Sequence, residues 1–200
     1  MAHPSRLTAC VLALGLSTLM ACGSGGDDAV DPPGAGTTGE PSAEHTACFP
    51  DRATIERLAI SLTPEQAEQI VGCRGYAPPG KSTPTGKMLQ WIDIANADSV
   101  LELSFVIPGG LYDRAAYFAE TEVSSCTPTQ AAFDQLPAGI DYAGAVRAFG
   151  CEGVLRVDLL DLQVREKRYV WGSYGDKARP MALANFQNGT LSFKASARLQ

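Results

Sequence analysis

Histidine is almost missing from this chain of 200 residues, which holds only His3 and His45. Everything beyond residue 46 therefore lacks the imidazole that a Ser-His or Cys-His pair needs, and the one an ordinary zinc site would use. No G-x-S-x-G elbow, P-loop or dinucleotide fingerprint is present either. Basic charge is scarce, with 16 Lys and Arg against 22 Asp and Glu. Nucleic-acid binding needs a basic footprint, and the nearest approach is the short Arg165–Arg168 run. That run contains Glu166 and reads more simply as a solvated strand or turn. Carboxylate pairs such as Asp158/Asp161 and Asp93/Asp98 could in principle do acid–base work, but an acidic surface supplies such pairs by chance. These absences point away from an enzyme, a cofactor, a bound metal, a small-molecule substrate and nucleic acid.

Long apolar runs are also lacking after the first 22 residues. Before that point Arg6 forms a thin basic region, and Leu7–Leu19 is apolar apart from Thr8, Ser17 and Thr18, too short to span a bilayer. Residues 1–21 read as a signal peptide. The closing Leu19-Met20-Ala21-Cys22 resembles the bacterial lipobox, which makes Cys22 the expected lipidated N-terminus; an ordinary secretory peptide cleaved nearby is the plainer alternative. Residues 22–46 are Gly, Pro, Ser, Thr and acid, a composition unable to offset its ordering entropy by burial, and so a flexible tether. Gly23 and Ser24 lack the Asp that retains proteobacterial lipoproteins at the inner membrane. The expected location is the cell envelope, with a membrane anchor through lipid, in the outer membrane if the source is Gram-negative.

What is present is a repeat. Cys48, Pro50, Ala53, Leu58, Ala67, Gly72-Cys73 and Gly75 recur 78 residues later as Cys126, Pro128, Ala131, Leu136, Ala145, Gly150-Cys151 and Gly153. Self-similarity at constant offset marks a duplicated structural unit. It also organises the cysteines. With Cys10 in the leader and Cys22 lipidated, four remain, and export favours disulfides. A unit that folds by itself should carry its own bridge, so Cys48–Cys73 and Cys126–Cys151 are the expected pairs. A four-thiolate zinc site lacks the close C-x₂₋₄-C spacing.

Each repeat opens with two helical patterns. Pro50 and Pro128 mark the first, with Thr127 as a cap in the second repeat. Ile55/Leu58 and Phe133/Leu136 share a helical face. Thr63-Pro64-Glu65-Gln66 is a capping box, Asp141 is its partner, and both second helices end at a glycine suited to a left-handed cap. Strands follow over 88–95, 100–107 and 111–118 in the first repeat, and over 154–160, 163–172, 180–186 and 190–199 in the second. Asn188-Gly189 is a two-residue hairpin signal. Lys81–Gly86 stands where the second repeat has its first strand. The fold class is thus α+β: two tandem repeats, 47–124 and 125–200, each helix–helix followed by an antiparallel β-meander with helices on one sheet face. Their net charges differ, −4 and +2.

Leu62–Gly72, Tyr169-Val170-Trp171 and Ala184–Leu191 together resemble the beta-lactamase inhibitory protein-like (BLIP-like) superfamily, which includes small outer-membrane lipoproteins of the SmpA/OmlA (BamE) type. The resemblance covers roughly residues 46–200. It implies sheets joined into one curved surface, and a partner protein gripped by the sheet face away from the helices.

Strand alternation yields candidates for that face. If Met88, Ile92 and Ile94 face the helices, Leu89, Trp91 and Asp93 face away, and the 78-residue offset places Tyr169 and Trp171 with Trp91. With Phe105 and Leu111 as core, Glu102, Tyr112 and Arg114 also point outward. Trp, Tyr and Arg among polar residues is the mixture enriched at protein-binding hot spots. The competing reading has one or both tryptophans fill a second core between the repeats. The expected function is a non-enzymatic, lipid-anchored protein-binding module, an inhibitor or regulator of an envelope enzyme. A structural scaffold in outer-membrane assembly or cell-wall contact is the alternative.

Overall fold

The computed structural model describes residues 48–200, apart from Ala97, Glu120, Glu122 and Lys177. The expected leader, the tether and Cys22 lie outside the described residues.

Among the described residues four short helices form where side chains can satisfy their first free N–H groups. Asp51 accepts from Thr54 N at 2.7 Å and starts α1, Arg52–Glu56. Thr63 and Gln66 make the reciprocal capping box, with Pro64 first in α2, Pro64–Val71. Thr129 caps α3, Gln130–Asp134, and Asp141 caps α4, Tyr142–Phe149. The first helix of each half therefore begins two residues past its proline, and Thr129 rather than Thr127 is the cap. Gly72 and Gly150 end α2 and α4 at φ of 91° and 78°, the left-handed conformation glycine adopts without penalty.

The strands are β1 (Gly86–Ile92), β2 (Val100–Val106), β3 (Gly110–Tyr117), β4 (Val154–Asp161), β5 (Arg165–Gly172), β6 (Met181–Gln187) and β7 (Thr190–Ala197). They form one seven-stranded antiparallel sheet in sequence order. The halves join by main-chain pairing of β3 with β4, from Asp113 opposite Asp161 to Tyr117 opposite Val157. Asn188 and Gly189 both have positive φ, 50° and 87°, as a two-residue turn between Gln187 and Thr190 requires.

The first half has three strands and the second four, for a chemical reason. Tyr76 pairs with Gln90 through two 2.8 Å backbone bonds, as Val154 pairs with Val170 at the start of β4. The chain then runs into Pro78-Pro79, which cannot donate to a ladder. What is a strand in the second half is cut to a single bridge in the first.

Helices cover the two ends of one sheet face. Ile55, Leu58 and Ala67 bury against Leu89, Trp91, Leu101, Leu103, Phe105 and Leu111. Phe133, Leu136, Ala145 and Phe149 bury against Trp171, Ala182, Ala184, Phe186 and Leu191. Disulfides Cys48–Cys73 and Cys126–Cys151 tie the entry of each helix pair to its exit, with Cα atoms 6.6 and 6.2 Å apart. Loop entropy makes each worth about 3 kcal/mol.

The burial corrects the strand phase. Leu89 and Trp91 point toward the helices, and Met88, Gln90 and Ile92 away from them, the reverse of the expected assignment. The offset is corrected too. A Cβ on Gly75 would lie 2.8 Å from the Trp91 indole, and one on Gly153 would lie 2.7 Å from that of Trp171. Trp91 is thus the counterpart of Trp171, 80 residues on, and not of Tyr169. Each indole packs against a glycine because only a missing side chain leaves room for it.

Candidate functional site

Cross-strand registers define what the helix-free face displays. Residues directly opposite one another on neighbouring strands share a face. One row crosses all seven strands: Ile92, Val100, Tyr117, Val157, Arg168, Asn185 and Phe193. Tyr117 and Phe193 are 40% and 55% exposed, large areas of ring left in water without helical cover. Arg168 is fixed between them. Its Nε donates to Asn185 Oδ1 at 2.9 Å, and Glu166 accepts from Asn185 Nδ2 at 3.1 Å. The neighbouring row is Gln90, Glu102, Ala115, Leu159, Glu166 and Gln187. Gln90 donates to Glu102 across β1 and β2. Beside this row Asp113 faces Asp161 where the halves join. Burial, then the nearby Asp161 and Glu102 charges, push the Asp113 carboxyl above its ordinary pKa.

The seven expected binding-face residues fall in different places. Trp91 and Trp171 are fully buried under the helices, each in the core of its own half, so they lie neither on the expected binding face nor in a second core between the repeats. Arg114 is also buried on the helix side, at 1% exposure, and does not point outward. Tyr169 is half-buried on the helix side and stacks on Tyr142, with ring centroids 3.9 Å apart. Asp93 lies in the turn after β1, where its carboxylate accepts from Ala95 N and Asn96 Nδ2. Tyr112 is exposed at the β3 bulge, beside the β4–β5 turn. Glu102 lies on the helix-free face.

Tyr117, Arg168, Asn185 and Phe193 were missed because strand alternation fixes only which residues share a face, not which face is covered. The pairing of Gly75 with Trp91 and Gly153 with Trp171 held that information, but only after a two-residue shift in the repeat alignment.

At its centre the helix side is ionic. Arg114 donates to Asp158 at 2.8 Å, to Ile55 O at 2.6 Å and to Leu58 O at 3.1 Å. Lys167 Nζ lies 3.7 Å from Asp158 and 2.5 Å from Glu56 of α1. Arg165 reaches Glu56 at 3.5 Å. The Lys167 hydrogen bond, with the Lys167 and Arg165 charges, holds the Glu56 carboxyl below its ordinary range. Among the described residues no group of three or more His, Cys, Asp or Glu is placed to hold a metal. Nor, among them, is any helix long and apolar enough to cross a membrane.

No family model and no curated protein matches the chain. Among solved structures it is similar to the crystal structure of a proposed beta-lactamase inhibitor protein from Streptococcus mutans, at 16% identity and a TM-score of 0.49, over 74% of this chain and 96% of that one.

Proposed function

We propose that the chain is a lipid-anchored envelope protein, built from two tandem repeats, that binds another protein across the helix-free face of its sheet. The observation that carries this reading is the row from Ile92 to Phe193. It runs over every strand and sets two exposed rings on either side of a hydrogen-bonded arginine. Seven strands at about 4.8 Å spacing and some seven residues at about 3.3 Å rise give roughly 29 by 23 Å. That area approaches the ~800 Å² that one side of a standard interface buries. Half-buried Ile92 and Val100 beside two aromatic anchors and a fixed Arg match the make-up of an interface core, and the acids Glu102, Asp113 and Glu166 match a polar rim. Regulation or inhibition of an envelope enzyme is the form of binding we favour, with the outer membrane as the location if the source is Gram-negative.

The test immobilises the chain beside a Tyr117→Ser/Phe193→Ser variant, both at exposed sites that leave the core intact. A protein captured by the parent is purified and titrated against both in a calorimeter. Saturable binding to the parent, weakened at least a hundredfold in the variant, supports the reading. Equal affinity for both would refute it.

A further inference from the structure

The helix side carries a second feature that the proposed protein-binding face does not use. Between the two helix pairs lies a cleft of about 450 Å³, within the range of small-molecule sites. Its lining includes Glu56, Tyr142, Arg165, Lys167, Tyr169 and Phe186. The sheet row beneath it changes character there. From β1 it reads Trp91, Leu101, Ala116, then Asp158 and Lys167, then Phe186 and Leu191. The apolar ends lie under helices and the ionic middle lies in the gap.

Three properties make the cleft selective. Its aromatic wall is preorganised: Tyr142 and Tyr169 stack, and Phe186 meets each edge-on at 5.8 Å. Tyr142 is further fixed by donating to Gly153 O at 3.2 Å. Its two cations stand on one strand, two residues apart, pointing the same way. The anion joining them is a single carboxylate, Glu56 Oε1, on a side chain that is half exposed. Asp158 cannot neutralise both, because it is buried and directly bonded to Arg114.

The geometry points to a ligand site for a carboxylate carried next to an aromatic or apolar group, in which the ligand's carboxylate takes the place of Glu56 on Lys167 and Arg165. A carboxylate already occupies the position, so the cations are spaced for one. The Tyr142–Tyr169–Phe186 wall supplies the adjoining apolar surface. A peptide C-terminus and a free aromatic acid share this chemistry.

The probe is N-acetyl-phenylalanine, with N-acetyl-phenylalaninamide and N-acetylglycine as arms lacking the charge and the ring. Binding to the purified chain is followed by NMR of the tyrosine ring protons. The acid should bind at least tenfold more tightly than either control. Arg165→Gln, at an exposed side chain, should weaken it severalfold, and Glu56→Gln should tighten it by freeing Arg165 and leaving Lys167 only its longer contact to Asp158. A dipeptide ending in phenylalanine then separates the sources: affinity above that of the acetylated amino acid indicates a peptide C-terminus, and equal affinity a free acid. Equal binding of acid and amide, no binding of the acid, or weaker binding in Glu56→Gln would overturn the site.

Discussion

Both halves of the molecule end their first helix over the sheet and leave carbonyls to be satisfied, and they do so with different cations. In the second half Lys194 Nζ, a half-buried point charge, donates to Phe133 O, Asp134 O and Leu136 O at 2.6, 3.1 and 3.2 Å. In the first half the counterpart is Arg114, on Ile55 O and Leu58 O. The carbonyl owners correspond at the 78-residue offset and the cations at 80. An ammonium is enough where the only task is to collect carbonyls. Arginine's fork can collect carbonyls with one nitrogen and reach a carboxylate with the other. That second reach matters only in the first half, where Asp158 of the other half lies 2.8 Å away. A carbonyl-collecting contact common to both halves is thus, in the first, also a link between them.

The sharpest way to break this comparison is Asp158→Ala. It strands a buried arginine and should cost about 3–5 kcal/mol, whereas Lys194→Met, removing carbonyl bonds at a half-buried site, should cost about 1–2 kcal/mol. Urea unfolding of both variants reads the difference, and similar losses would mean the inter-half link adds nothing. Next in size are Gly75→Ala and Gly153→Ala. Each forces a methyl into an indole, for about 1–3 kcal/mol. Near-equal losses would sharpen the equivalence of the two Gly–Trp contacts, and a neutral result at either would break it.

A smaller effect separates the tryptophans themselves. Trp171 Nε1 donates to Cys151 O at 3.0 Å, while the buried Trp91 Nε1 has no hydrogen-bond partner among the described residues. Trp171→Phe should therefore be costlier than Trp91→Phe by about 1 kcal/mol, as measured by chemical denaturation. The smallest effect is expected at the join of the halves, at Asp113. Its folded pKa lies above the unfolded 3.8, so its favourable contribution is present below that value and is lost as pH rises through the folded one. Asp113→Asn should raise the melting midpoint at pH 7 by roughly 1–2 °C. It should also flatten the fall in stability above pH 4. An unchanged midpoint would show that the Asp113–Asp161 repulsion is screened by solvent.

Particular elements show how far the sequence was readable. The capping box at Thr63, the Asp141 cap, the Gly72 and Gly150 stops and the Asn188-Gly189 turn depend on neighbours within a few residues, and all appear in the structure. Strand ends were legible to within three residues for the same reason, the largest difference being the first strand, expected over 88–95 and found at Gly86–Ile92. The binding face was not. Its choice turned on whether Trp91 looked toward or away from the helices, and in β1 both faces alternate apolar and polar residues: Leu89 and Trp91 on one side, Met88 and Ile92 on the other. The repeat carried that one phase error into both halves, because an offset of 78 or of 80 alike places Tyr169 and Trp171 on the face given to Trp91. Arg114 was misplaced for a different reason: Leu111 is core as expected, but the bulge at Tyr112 puts Arg114 on the same face, where it meets carbonyls and a carboxylate from residues 44 to 59 positions away.

The sequence by itself determined the local order of elements, the repeated pattern and the cysteine partners, because these follow from short-range backbone chemistry and self-similarity. Only the tertiary structure decided that β3 pairs with β4, so that the two halves share one sheet. It alone decided that the tryptophans lie under the helices, and that Tyr117, Arg168 and Phe193 are left in the open. Those outcomes depend on which surfaces are buried against each other, a property of the packed chain that no stretch of residues carries alone.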